Sequence, residues 1–192
     1  MIDVTVASLG LLVTLPVLAA TAIAIAVVSR GSPIFLQTRV GKDGKTFRLY
    51  KFRTMEDGAH LLHDDMKRYS EIDGPAFKMR NDPRLHALGA ILRRTSIDEL
   101  PNFINVLRGE MSVVGPRPPL PCEVAHYDAY AMRRLSVKPG VTCLWQINGR
   151  SNVNFDHWME LDNQYIDSWN PVSDIGIIAR TIPAIVRGEG AH

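Results

Sequence analysis

Cysteine is almost missing from this sequence, with only Cys122 and Cys143 in 192 residues. Two thiols cannot form a disulfide scaffold, and these two lack the paired spacing of zinc ligands, so both read as ordinary core or loop positions. A large charge excess is missing as well. The formal net charge of +2 excludes the overall attraction to nucleic acid that a strongly basic chain would have. No internal repeat, glycine-rich nucleotide fingerprint or G-x-S-x-G elbow is present, so the common nucleotide-fold and serine-hydrolase signatures are out. His60 and His63 stand three apart with no third ligand near them in sequence, which is too little for a metal site.

The most informative absence is at the N-terminus, where residues 4–29 contain no ionisable side chain. A helix over that stretch would be about 39 Å long, against a bilayer hydrocarbon core of about 30 Å. A cleaved signal peptide is the competing reading, and the lack of a basic residue ahead of the apolar run argues against it. Pro16 divides the run nearly in half. A proline there removes a helical hydrogen bond unless the freed carbonyl finds another partner, for which the Thr14 hydroxyl is a candidate. Each arm would be about 18–21 Å long, so the chain can either kink and cross or enter and leave by one face.

The segment after the apolar run is basic. Arg30, Arg39, Lys42, Lys45, Arg48, Lys51 and Arg53 face a single acid, Asp43, which puts this side of the membrane in the cytoplasm and suits contact with anionic lipid. Residues 35–40 and 46–53 read as two strands of a hairpin turned at Asp43-Gly44. The segment 61–74 is polar and irregular. Asp82-Pro83 reads as a helix start, with Leu85, Leu88, Ile91 and Leu92 on one apolar face and Arg93 at its end.

The centre of the chain is Thr95-Ser96-Ile97-Asp98-Glu99-Leu100-Pro101. Ser96 and Glu99 fit a capping box, which places Asp98 and Glu99 in the first turn of a helix that ends at Gly109. Two adjacent carboxylates can merely complement the helix dipole. They can also divide two tasks, one as nucleophile and the other as ligand for a hard cation. Further on, Pro116, Pro118 and Pro119 stiffen a loop around Arg117, whose guanidinium fork suits a diphosphate. Residues 126–134 read as a helix, and the Asn148-Gly149 turn aims Arg150. Residues 173–187 read as an amphipathic helix that covers the core or lies at a membrane interface.

The run TSIDELPNFINVLRGEMSVVGPRPPLP, followed by KPGVTCLWQINGR, resembles the signature of the bacterial sugar transferases, also called monotopic phosphoglycosyl transferases. Supporting motifs are GSPIFLQTRVGKDGKTFRLYKFRTM, FKMRNDPR and TIPAIVRGEGAH, so the resemblance covers nearly the whole chain. It implies transfer of a sugar 1-phosphate from a UDP-sugar to polyprenyl (undecaprenyl) phosphate, with release of UMP, at the start of surface polysaccharide or glycoconjugate synthesis. It also implies Asp98 as nucleophile through a covalent sugar-phosphate, Glu99 as ligand of Mg²⁺, and Arg93, Arg117, Arg150, Lys51 and Arg53 as phosphate-binding residues. Two departures stand out: Leu15-Pro16, with Thr14 before it, replaces the Ser-Pro pair of many members, and Cys143 replaces a glycine.

The expected architecture is α/β or α+β, with many short helices around a small β-hairpin. Residues 1–30 form a re-entrant membrane helix, and residues 31–192 a catalytic domain on the cytoplasmic face of the bacterial inner membrane. UDP-sugar, polyprenyl phosphate and membrane lipids are the expected partners, without nucleic acid, and a homodimer is left open. The motifs Gly74-Pro75-Ala76-Phe77-Lys78-Met79 and Asn81-Asp82-Pro83-Arg84 are closer to members that handle glucose or galactose than to those using N-acetylated sugars. A metal-dependent diphosphate hydrolase and a non-enzymatic protein binding anionic lipid are the alternatives.

Overall fold

The uncharged N-terminal stretch forms one helix, α1 (Ile2–Ser29), in a computed structural model that describes residues 2–29, 31–77, 79, 81–148 and 154–187. Its apolar side chains stay largely outside, with Leu12, Val13, Ile23 and Val27 exposed by 68, 76, 67 and 77%. Such a surface is costly in water, and by length and composition α1 is sufficient to cross or anchor in a membrane. Helical structure continues through Pro16, so any change of direction there does not interrupt the helix. The expected role of Thr14 needs correction. Its hydroxyl donates to the Gly10 carbonyl at 2.6 Å, one turn back from itself, rather than to the Leu12 carbonyl that Pro16 leaves without a helical donor.

Both arms of α1 pack on the remainder of the chain. Ala7 is fully buried in the main core, and Gly10 lies so close to Phe103 that a Cβ there would sit 3.1 Å from its ring. In the second arm Leu18, Ala22 and Ile25 pack with Phe52 and Leu92. The N-terminal end is tied down by Asp3, whose carboxylate accepts from the Ser112 hydroxyl at 2.8 Å and the Val113 amide at 2.9 Å.

The basic segment forms the expected hairpin, β1 (Ile34–Val40) and β2 (Thr46–Phe52), antiparallel with Ile34 opposite Phe52 and Val40 opposite Thr46. Asp43 (φ 56°) and Gly44 (φ 75°) are consecutive left-handed residues, the conformation an Asp-Gly turn supplies at low cost. Period-two alternation sends Phe47 and Leu49 into the core and Lys51 the same way. The hairpin is fastened by Asn105, which accepts from the Tyr50 amide at 3.0 Å and donates to the Arg48 carbonyl at 2.8 Å. Asn105 is itself fully buried.

A short helix α2 (His63–Met66) lies in the polar segment. Helix α3 (Ala87–Arg94) begins later than Asp82-Pro83 would suggest, because residues 84–86 are held extended against residues 54–56. Glu56 donates its amide to Arg84 at 2.9 Å, and Leu85 bridges Met55. The cap is His86, whose Nδ1 accepts from the Gly89 amide at 2.9 Å. A Cβ on Gly89 would fall 1.9 Å from the Thr54 carbonyl, so glycine lets α3 lie directly on the backbone at Thr54.

After α4 (Asn102–Leu107) comes β3 (Ser112–Val114), which pairs in parallel with β4 (Gly140–Thr142). The single helix expected over residues 126–134 is instead α5 (Pro121–Val124), then α6 (Ala129–Met132) capped by Asp128, then a 3-10 turn, Arg133–Ser136. The last described elements are α7 (Leu144–Ile147), α8 (Phe155–Ser168) and α9 (Pro171–Arg187). The main core joins Phe47, Leu49, Val106, Met111, Val113, Val114, Tyr165 and Ile177, so α9 covers it on one side. Val172, Ile175 and Ile182 on α9 remain 76, 58 and 64% exposed. The architecture is mixed α/β, with many short helices, a small hairpin and an apolar N-terminal helix.

Candidate active site

Asp98 and Glu99 belong to a 3-10 turn, Ile97–Glu99, and not to the first turn of α4. The expected capping box is absent, because Ser96 takes a left-handed conformation (φ 56°) with no side-chain cap bond, and α4 starts only after Pro101. Closing α3 and turning directly into this short element buries Asp98 to 5% exposure, with Glu99 beside it.

The two carboxylates line a cavity of about 640 Å³ together with Lys51, Arg53, Arg93 and Arg117. The four cations arrive from three stretches of the chain: Lys51 and Arg53 at the end of β2, Arg93 at the end of α3, and Arg117 in the proline loop. Lys51, on the inward face of β2, lies 3.6 Å from Glu99. Arg93, at the end of α3, donates from Nε to the Thr54 hydroxyl at 3.2 Å. Arg53 faces Asp57 at 3.5 Å. Arg117, between its prolines, lies over the Trp158 ring at 5.7 Å. Arg150 lies outside the described residues.

Burial, and after it the Glu99 charge, pushes the Asp98 carboxyl up to about 6, with Lys51 and Arg93 opposing. Burial pulls Arg93 down, and Asp98 is the largest influence holding it up. Lys51 is likewise lowered by burial and supported by Glu99. Asp98 therefore gives up its proton less readily than an exposed carboxyl, and its charge is poorly solvated where it forms.

Mg²⁺ is ordinarily held by one or two carboxylates, with phosphate and water completing its shell. Glu99 supplies one that faces the cavity, shared with Lys51 at 3.6 Å. The described residues hold no group of three His, Cys, Asp or Glu side chains that could bind a metal without substrate phosphate.

A family model described as bacterial sugar transferase matches residues 1–188. The chain belongs to that family. Among the relatives of this bacterial sugar transferase is the galactosyl transferase CpsE of Streptococcus agalactiae serotype III (strain NEM316). It is 48% identical over 162 residues, which cover 84% of this chain and 36% of CpsE. The exopolysaccharide production protein ExoY of Rhizobium meliloti (strain 1021) is 38% identical over 198 residues, covering 99% of this chain and 86% of ExoY. The UDP-glucose:undecaprenyl-phosphate glucose-1-phosphate transferase of Escherichia coli (strain K12) is 41% identical over 191 residues, covering 94% of this chain and 38% of that protein. The chain thus spans most of ExoY but just over a third of the other two.

Several residues that line this sugar transferase's cavity or support its lining were not singled out by their sequence. Phe35, Gln37 and Arg39 alternate along β1, and all three line the cavity, so the period-two pattern F-x-Q-x-R carried the signal. Arg84 forms a buried pair with Asp82, donating from Nε at 2.8 Å and from Nη2 at 2.6 Å. Arg134, 2% exposed, pairs with Asp162 at 2.7 Å, donates to the Arg117 carbonyl at 3.0 Å and stacks over Trp158 at 4.9 Å. It therefore fixes both the backbone and the aromatic platform of Arg117. Cys143, in place of the family's glycine, is buried with an extended backbone (φ −154°) that any residue adopts, so the departure introduces no strain.

Proposed function

We propose that this sugar transferase moves a sugar 1-phosphate, of the glucose or galactose type, from a UDP-sugar to polyprenyl phosphate. The observation that carries the reading is a buried carboxylate, Asp98, raised to about 6 within a ring of Lys51, Arg93 and Arg117. The names of the relatives agree: one is an undecaprenyl-phosphate galactose phosphotransferase from Salmonella typhimurium (strain LT2), another the Escherichia coli glucose-1-phosphate transferase.

In the first step a carboxylate oxygen of Asp98 attacks the β-phosphorus of the UDP-sugar. The bond from that phosphorus to the bridging oxygen breaks, and UMP leaves with the electron pair. The sugar-phosphate is then held on Asp98 as an acyl phosphate. In the second step a phosphate oxygen of the lipid attacks the same phosphorus, Asp98 departs as carboxylate, and the product is a polyprenyl diphosphate sugar. Arg93 and Arg117, with Lys51, Arg53 and Arg150, bind phosphate oxygens and stabilise charge that builds in each transition state. Glu99 would hold Mg²⁺, which when bound neutralises charge on the diphosphate.

The position of α1 supports a monotopic arrangement in which residues 1–30 enter and leave the cytoplasmic face and residues 31–192 form the catalytic part. A helix that crossed the bilayer would carry Asp3 about 30 Å away from that part, whereas Asp3 is bonded to Ser112 and Val113 within it. Placing the catalytic residues at the interface lets a soluble donor and a lipid acceptor meet.

The test is purified protein with a panel of UDP-sugars, with and without undecaprenyl phosphate, reading UMP release and the fate of a radiolabelled sugar. Label that passes into lipid is the expected result. Sustained production of free sugar phosphate without lipid would identify a hydrolase instead.

A further inference from the structure

The cations around the cavity are not equally neutralised. Arg84 has Asp82 at 2.6 Å, Arg134 has Asp162 at 2.7 Å, Arg53 has Asp57 at 3.5 Å and Lys51 has Glu99 at 3.6 Å. Arg39 and Arg117 have no carboxylate within 4.0 Å among the described residues. Arg39 is only 4% exposed, and a buried guanidinium without a counter-ion is costly. Burial, followed by the Arg117 charge, pulls Arg39 down to about 9, so the charge persists at neutral pH under strain from its surroundings.

Arg39 is also aimed. Its Nε and Nη2 donate to the Gln37 side chain at 3.1 and 2.7 Å, and its Nη1 donates to the Pro118 carbonyl at 2.9 Å. These bonds fix the fork against the same proline loop that carries Arg117 and, among the described residues, leave two of its five N–H groups uncommitted. Arg39, Lys51, Glu99, Arg117 and Trp145 line both the main cavity and an adjoining chamber of about 50 Å³, which has room for a few oxygen-sized atoms. The buried indole Nε1 of Trp145 has no acceptor among the described residues, and an unmatched buried donor is a standing cost until an acceptor arrives.

We propose that Arg39, with Arg117 and the Trp145 indole N–H, forms a phosphate-oxyanion subsite on the Glu99 side of the carboxylate pair, separate from the Arg53 and Arg93 group on the α3 side. The subsite rests on the transferase reading, in which two phosphate-bearing substrates use one cavity, and it serves one of them. Arg39, Lys51 and Arg117 against the Glu99 and Glu123 carboxylates leave an excess of positive charge, and with a rigid fork and a directed N–H they select an oxyanion rather than a neutral or cationic group.

Binding at equilibrium tests this without turnover. The dissociation constants of UDP and of a short-chain polyprenyl phosphate are measured separately on wild-type protein in nanodiscs, and again on Arg39→Gln and Trp145→Phe. Arg39→Gln is expected to weaken one of the two ligands at least tenfold, about 1.4 kcal/mol, and to leave the other within threefold. Loss confined to UDP places the donor diphosphate there, and loss confined to the lipid places the acceptor phosphate there. Trp145→Phe is expected to weaken the same ligand by a smaller factor, and it carries the test if Arg39→Gln does not fold. Unchanged constants for both ligands in the folded variant, or wild-type protein that binds neither, overturn the subsite. Wild-type protein that binds both but transfers nothing would overturn the reaction and leave the subsite standing.

Discussion

Replacing Asp98 with asparagine should stop sugar-phosphate transfer and, at neutral pH, make the protein more stable. The amide has the shape of the carboxyl without its charge, so it cannot form the acyl phosphate but avoids the cost of holding an anion in a buried position. The magnitude comes from the shift of Asp98 from 3.8 to about 6, roughly two units at 1.36 kcal/mol each, or about 3 kcal/mol. The sign is fixed by linkage. A carboxyl raised by folding binds its proton more tightly in the folded state, so stability falls as pH rises from 3.8 to 6, and the full cost is present above that. The asparagine variant mimics the protonated form throughout.

Thermal unfolding of both proteins in the same detergent or nanodisc, from about pH 4 to about pH 8, measures the difference. The curves should converge near the acid end and separate through about pH 6, with the variant on top. A variant less stable than wild type at neutral pH, or a gap that does not shrink on acidification, would refute the claim that burial and Glu99 dominate over Lys51 and Arg93 at this carboxyl. The same titration should appear in catalysis, with kcat/KM falling as pH drops through about 6 because the protonated nucleophile is inactive.

Glu99→Gln should lower the rate and blunt its dependence on Mg²⁺ concentration; a variant with an unaltered metal titration would remove Glu99 as the ligand. Arg117→Lys should lose at least tenfold in kcat/KM, about 1.4 kcal/mol of transition-state stabilisation, because an ammonium cannot reproduce the fork held between Pro116 and Pro118; full activity would mean that charge alone suffices there. For topology, cysteines at Ile2 and Ser32, in a background with Cys122 and Cys143 replaced, should resist a membrane-impermeant thiol reagent in intact cells and react once the cells are opened. Ile2 and Ser32 are used because Asp3 is bonded to Ser112 and Val113 and a Cβ at Gly31 would strike Arg53 at 2.3 Å; labelling of the Ile2 position from outside would refute re-entry.

What the sequence revealed of the fold, it revealed through local rules. An uncharged run long enough for a bilayer became α1, and Asp43-Gly44 between alternating strands became the hairpin. The family resemblance, and not a local rule, assigned roles to Lys51, Arg53, Arg93, Asp98, Glu99 and Arg117, and these residues from four stretches of the chain line one cavity. The errors came where distant backbone overrode a local preference. Ser96 and Glu99 have the spacing of a capping box, but the close of α3 forces Ser96 left-handed, so its side chain never reaches the cap. Asp82-Pro83 is a reasonable helix start, yet pairing of residues 84–86 with residues 54–56 postpones α3 to His86. Helix α8 escaped notice because it buries Asp162 and Asn163 alongside Trp158 and Met159, and their partners, Arg134 for Asp162 and the Tyr130 and Met159 carbonyls for Asn163, become visible only in the fold.

The contacts of α1 connect the apolar helix to the site in a specific way. Asp3 is bonded to Val113, and a short stretch beyond Val113 along the chain is Arg117. In the other arm Ile25 packs with Phe52 and Leu92, which immediately precede Arg53 and Arg93. The three arginines are thus each within a few residues of an α1 anchor, and close-packed cores transmit displacement rather than absorb it. A shift of either arm within the bilayer would move a matching set of phosphate ligands relative to Asp98. On this reasoning, the helix does more than hold the enzyme at the surface. If the proposed transfer to a lipid acceptor holds, the helix sets the depth at which the lipid phosphate meets Asp98, and a substitution at Ala7 or Ile25 that forces an arm outward should change the rate with lipid acceptor more than the affinity for soluble UDP.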